Sequence, residues 1–190
     1  MVLLLNVEMD IKHGIRMVLD IVKANITKKL RGDRKMATIT SPMLAATLKP
    51  EDINKLKFPV LATIKLDGIR CEIINGEAKS RTFKSIPNTY IRTELEKIFN
   101  FQDGQIFDGE ILSGKSFQEC SGNVMRHEGE SDFKYYLFDY ISDGLDEYYN
   151  KRMKKLEALV ITDPRVIKLI PTMINNVEEL EAFDGCRRLE

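Results

Sequence analysis

Asn75-Gly76 stands between two short β-prone runs, residues 70–74 and 77–81. Both residues of the dipeptide tolerate positive φ, which a two-residue turn matching the strand twist requires, so 70–81 is expected to form a β-hairpin. A hairpin commits this stretch to an antiparallel ladder, and the rest of the chain must supply its partners. Strand candidates lie at 60–64, 105–112, 134–141 and 166–170. Helical spacing marks 89–99, with Ile91, Leu95 and Ile98 on one face, and 147–159. Asn176 with Glu179 gives a capping-box-like start to a last helix. Strands interleaved irregularly with helices around a tight hairpin predict an α+β fold with mainly antiparallel sheets and flanking helices.

The first residues read differently. Ile11, Ile15, Val18, Val22 and Ile26 recur at helical spacing within 7–30. A basic segment follows, Lys28, Lys29, Arg31, Arg34 and Lys35, which fits a solvated linker or a contact to a DNA backbone. Met36 opens a second, self-sufficient start. The expected organisation is a helical appendage over 1–35 and the main domain over 36–190.

Composition narrows the class. Hydrophobic residues make up 43% of the 190 and charged residues 31%, a balance typical of soluble globular proteins. No apolar run approaches the roughly 20 residues needed to span a membrane, and Met1-Val2-Leu3-Leu4-Leu5 is too short for a signal-peptide core. Cys71, Cys120 and Cys186 are odd in number and far apart, which fits neither a disulfide framework nor a zinc site. A cytoplasmic location is expected. Lys plus Arg equals Asp plus Glu at 29 each, so net charge gives no support to nucleic-acid binding. Two histidines, His13 and His127, supply histidine-centred catalysis poorly.

The run Lys65-Leu66-Asp67-Gly68-Ile69-Arg70 lies between two strand candidates. A lysine at a strand end, with a glycine soon after, can point into a cleft while the backbone turns sharply away. A lysine amine is a nucleophile only when deprotonated. Its free pKa is about 10.4, so a site that uses it needs a nearby cation or metal. Arg70 and a phosphate-bound Mg2+ are the candidate sources. The same residues also fit a turn with exposed Lys, Asp and Arg. A four-position match of this kind arises by chance about once in 10⁵ positions of average composition.

Lys-x-Asp-Gly-x-Arg resembles the adenylylation motif of ATP-dependent DNA ligases, which share a covalent nucleotidyltransferase superfamily with RNA ligases and mRNA capping enzymes. Later segments resemble the family's in the same order. Ser80-Arg81 is similar to its Ser-Arg pair, Phe107-Asp108-Gly109-Glu110 to its Asp-Gly-Glu, and Tyr136-Leu137-Phe138-Asp139 to its aromatic segment. Pro42-Met43-Leu44-Ala45 resembles the stretch that often precedes the lysine strand, so the likeness runs over 41–180.

The resemblance implies a ligase-type, ATP-grasp-like nucleotidyltransferase domain. It implies Lys65 as the nucleophile that takes AMP, Arg70 and Arg81 as nucleotide and phosphate contacts, Glu110 as ribose ligand and Phe138 as adenine stack. ATP and Mg2+ are the implied cofactors and nicked double-stranded DNA the implied partner. The family reaction leaves a Lys–AMP phosphoramidate, passes AMP to the 5′-phosphate of a nick, and seals the strand by attack of the 3′-hydroxyl. Read alone, Arg81 also fits a surface salt-bridge residue, Asp-Gly-Glu an ordinary turn, and Phe138 a core position. Strand alternation puts Glu110 on the face of Asp108 and Ile106. Ser121-Gly122, followed by Arg126, reads as a packing or phosphate-side element.

Family members continue with a Glu-Gly-hydrophobic motif, a Lys-x-Lys motif and an OB-fold. Asp184-Gly185 does not replace the first, and the sequence stops at Cys186-Arg187-Arg188-Leu189-Glu190. The expectation is therefore a C-terminally incomplete adenylation domain: a truncated gene product, a fragment, or one half of a split ligase whose partner is a separate C-terminal ligase fragment. The alternatives are an RNA ligase or capping-type nucleotidyltransferase, and an inactive nucleic-acid-binding remnant.

Overall fold

The computed structural model describes residues 42–43, 49–100, 104–142 and 144–185. The amphipathic stretch at 7–30, the basic segment that follows it and the final residues 186–190 lie outside the described residues. The described chain divides into two compact units, one joining 43–65 to residues from 171 onward, the other spanning 66–170.

In the first unit a 3-10 helix (Pro50–Lys55) leads into strand β1 (Val60–Ala62). It pairs antiparallel with β7 (Thr172–Ile174), Val60 facing Ile174. Helix α4 (Val177–Gly185) closes the unit. Its start is the expected one: Asn176 Oδ1 accepts from the Glu179 N–H at 2.8 Å, and Glu179 Oε2 accepts from the Asn175 N–H at 2.8 Å. Val60, Ala62, Ile174 and Leu180 are the buried core, with Ile53, Leu56, Phe58 and Phe183 packed against it.

The second unit is built on a five-stranded sheet in the order β3-β2-β4-β5-β6. These strands are β2 (Ile69–Ile74), β3 (Glu77–Ser80), β4 (Ile106–Leu112), β5 (Lys134–Ile141) and β6 (Val166–Lys168). The β2–β3 hairpin turns at Asn75 and Gly76, with φ of 52° and 79°. Three pairings are antiparallel and β5–β6 is parallel. Helix α1 (Thr89–Ile98) is capped by Asn88, whose Oδ1 accepts from the Ile91 N–H at 2.9 Å, and it buries Ile91 and Leu95. Helices α2 (Phe117–Met125) and α3 (Tyr149–Ala158) follow β4 and β5. Phe99, Phe107, Tyr135, Ile73, Ile111 and Leu137 fill the core, and Tyr135 Oη donates to the carbonyls of Cys71 (2.9 Å) and Phe107 (3.3 Å). Among the described residues no helix is long and apolar enough to cross a membrane.

The expected α+β architecture with mainly antiparallel sheets is present. Two details differ. Strand β7 was not expected, because Thr172 and Met173 are exposed and only Ile174 is buried, which leaves no alternation to read. The second hairpin strand ends at Ser80 rather than Arg81. A tight loop takes over there, with Phe83 N–H donating to Ser80 O and Ser80 N–H to Lys84 O, both at 2.7 Å.

Candidate functional site

In the β2–β4 ladder Arg70 faces Glu110 and Glu72 faces Asp108. Directly opposed residues of an antiparallel pair share a face. Four polar side chains are thereby gathered on one side of the sheet, and Cys71, Ile73, Phe107 and Ile111 on the other. The β4–β5 ladder adds a fifth group by an irregularity. Asp108 pairs with Asp139 and Gly109 with Leu137, so Phe138 is the extra residue of a bulge. The Arg70 guanidinium carbon lies 4.6 Å from the centroid of the Phe138 ring, which puts that ring on the polar side.

Arg70 is held firmly. Its Nε–H donates to Asp108 Oδ1 and its Nη2–H to Asp108 Oδ2, each at 2.5 Å. This is the two-pronged geometry that makes arginine–carboxylate pairs strong. Burial pushes the Asp108 carboxyl up and the guanidinium pulls it back, leaving it above the ordinary aspartate value. Glu72 is buried and its carboxyl is pushed up to about 7, first by burial and then by the like charge of Asp108, against the pull of Arg70.

Glu110 reaches back to the motif that precedes β2. Its Oε1 accepts the Gly68 N–H at 2.8 Å. A Cβ at Gly68 would run into the Ile111 carbonyl oxygen and lie 2.7 Å from Leu112 Cδ2. The glycine of the Lys-x-Asp-Gly run is there because the chain passes against β4 too closely for a side chain. Gly109 meets the same limit, since a Cβ would lie 2.6 Å from Tyr135 Cζ.

Of the residues singled out from sequence, Arg70, Glu110 and Phe138 are thus brought to one face. Arg81 is exposed in the loop beyond β3, one residue past the Ser80–Cys71 pair on its Arg70 side. Lys65 is exposed, lies outside any strand and belongs to the first unit. Outside its own helix, no described residue lies within 4 Å of where a Cβ at Gly122 would stand, and Arg126 is tied to Glu130 O and Ser131 Oγ. Sequence reasoning gave no role to Asp108 or Glu72. The signal was available, since alternation from Glu110 and from Arg70 puts both on the same face. Among the described residues no group of three or more His, Cys, Asp or Glu side chains is arranged to hold a metal ion.

The fold and this polar face define a nucleotidyltransferase-type domain. Residues 42–184 match the ATP dependent DNA ligase domain family, and the chain belongs to that family. A DNA ligase of Methanobrevibacter smithii is 32% identical over 170 residues, a match covering 75% of this chain and 31% of the archaeal protein. The crystal structure of Chlorella virus DNA ligase-adenylate aligns with a TM-score of 0.64 at 35% identity, covering 77% of this chain and 54% of the viral one. A structure from work on Lig E DNA ligases shares the fold, with a TM-score of 0.52 at 18% identity, covering 68% of this chain and 50% of that one. The chain therefore spans about a third of the archaeal relative and about half of each of these two solved chains.

Proposed function

We propose that this chain carries out the nucleotide-activating step of a DNA ligase. The Lys65 amine attacks the α-phosphorus of ATP, the bond to pyrophosphate breaks, the amine loses a proton, and a Lys–AMP phosphoramidate is left. The observation that supports this most is the register that sets Arg70, Glu110 and Phe138 on one sheet face, just after the Lys-x-Asp-Gly run. Phe138 offers a ring for adenine to stack on, a contact worth about 1–3 kcal/mol per base. The Glu110 carboxylate serves the ribose hydroxyls while fixing the Gly68 backbone. Arg70, aligned by Asp108, and Arg81, exposed in its loop, contact the nucleotide and its phosphates, where fixed cations stabilise the charge that develops.

Mg2+ supplies further charge stabilisation on the phosphates when bound. Transfer of AMP to the 5′-phosphate of nicked duplex DNA, followed by sealing, is the proposed onward reaction, and the cytoplasm its place.

The test is incubation with ATP labelled at the α- or γ-phosphate. Label from the α-position should be retained on the protein, that from the γ-position should not, and added pyrophosphate should discharge the adduct. Retention of γ-label, or equal labelling by GTP, contradicts the proposal.

A further inference from the structure

Glu72 lies on the polar face and takes no part in the proposed chemistry. It lies two positions along β2 from Arg70 and directly opposite Asp108 on β4. It is 3% exposed, and its Oε2 has no hydrogen-bond partner among the described residues. Leaving a buried carboxylate oxygen unsatisfied is costly, and the cost is much larger for the charged form than for the neutral one. The charged groups around it are few. Across β3 it faces Lys79, whose ammonium is paired with Glu77 at 2.5 Å. Across β4 it faces Asp108, and on its own strand Arg70, whose Nε and Nη2 are both directed at Asp108. The guanidinium is therefore flanked by three carboxyl groups, Asp108, Glu72 and, directly opposite it, Glu110, and Asp108 takes both its Nε and its Nη2.

We propose that Glu72 is a positioning residue for Arg70, leaving the guanidinium clamped by Asp108 over Phe138 while it keeps its proton, and competing for it once ionised. The competition follows from geometry. Glu72 and Arg70 are next neighbours on one face of one strand, and Asp108 reaches Arg70 diagonally from the position opposite Glu72. An ionised Glu72 adds a further negative charge beside Asp108, which already uses the arginine in two-pronged fashion, and sharing breaks that alignment. Burial holds the Glu72 carboxyl at about 7, so the change falls in the neutral range. That nucleotide binding responds to this change rests on the reading of Arg70 and Phe138 given above.

Two readouts separate the parts. In the free wild-type protein, the Arg70 Nε–H resonance and the Glu72 carboxyl-carbon resonance are followed by NMR between about pH 6 and pH 8. The two should titrate together, and in Glu72→Gln the Arg70 resonance should stay flat. ATP affinity is then compared for the two proteins over the same range, so that titration of ATP itself cancels. The ratio should rise from near unity to on the order of fivefold weaker binding by wild type at the alkaline end. An Arg70 resonance that does not move while Glu72 titrates overturns the proposal, whatever ATP does. So does a response of Arg70 that persists unchanged in Glu72→Gln. An Arg70 response that follows Glu72 in a protein binding no ATP at any pH supports the positioning and counts instead against the ligase reading of this face. The wild-type titration decides the matter even if the variant fails to fold.

Discussion

The two sides of the β2–β4–β5 sheet are made by the same strands and follow opposite rules. One side carries Cys71, Ile73, Phe107, Ile111, Tyr135 and Leu137, none more than 1% exposed. Phe99 packs on Phe107 and Tyr135 with ring centroids 4.7 and 5.4 Å away, and Phe107 stacks on Tyr140 at 4.9 Å. The Tyr135 hydroxyl buried there is satisfied by two carbonyls. The other side carries Arg70, Glu72, Asp108, Glu110 and Phe138. There one guanidinium meets three buried or half-buried carboxyls, one carboxyl oxygen has no hydrogen-bond partner among the described residues, and the aromatic ring is delivered by a bulge. Local rules are kept on one face and broken on the other, and the proposed function uses the second, since such costs persist where function needs them.

That contrast can be broken most easily on the apolar side. Phe107→Ala should cost about 3–5 kcal/mol of stability, since it removes a buried ring from a close-packed core. Urea unfolding gives the number, and a cost under about 1 kcal/mol would mean that the face is not the core. On the polar side, Asp108→Ala should cost about 3 kcal/mol by removing the carboxylate that the half-buried Arg70 engages with both Nε and Nη2. Adding Arg70→Met to Asp108→Ala should restore part of that loss. An additive double variant would show that the pair does not couple in solution.

Glu72 sharpens the comparison through pH. The folded state holds its proton up to about 7, whereas an ordinary glutamate releases it near 4.5. Between those values the unfolded chain has lost the proton and the folded one has not, so stability from this group is full at low pH and falls as pH rises toward 7. The fall amounts to at most about 3 kcal/mol, and Glu72→Gln should flatten it. Denaturation midpoints that are flat in wild type over this window would contradict the burial argument. The smallest effect is expected at the half-buried ring: Phe138→Leu should weaken ATP binding by about tenfold while changing stability by under about 1 kcal/mol. Unchanged ATP affinity would return Phe138 to an ordinary packing role.

Much of this is legible in the sequence. Asn75-Gly76 fixed the hairpin because few dipeptides accept two positive φ angles, and Ile91 with Leu95 marked the buried stripe of α1. The Asp-Gly-Glu run could be placed on a strand with Asp108 and Glu110 on one side. The Arg70–Asp108 pair could not be read, because it depends on a register between strands 38 residues apart. Phe138 posed the same difficulty: its side of the sheet is decided by a bulge that exists only once β4 and β5 are aligned. Strand β7 has a single buried residue and carries no periodic signal.

Lys65 is the proposed point of AMP attachment, and the direct test is to locate the adduct. The purified protein is incubated with ATP and Mg2+, digested, and its peptides are mapped by mass spectrometry under mildly alkaline conditions that preserve a phosphoramidate. The adduct should lie on the peptide containing Lys65 and be absent from Lys65→Ala. An adduct on any other residue, or none on the wild-type chain, would contradict the account.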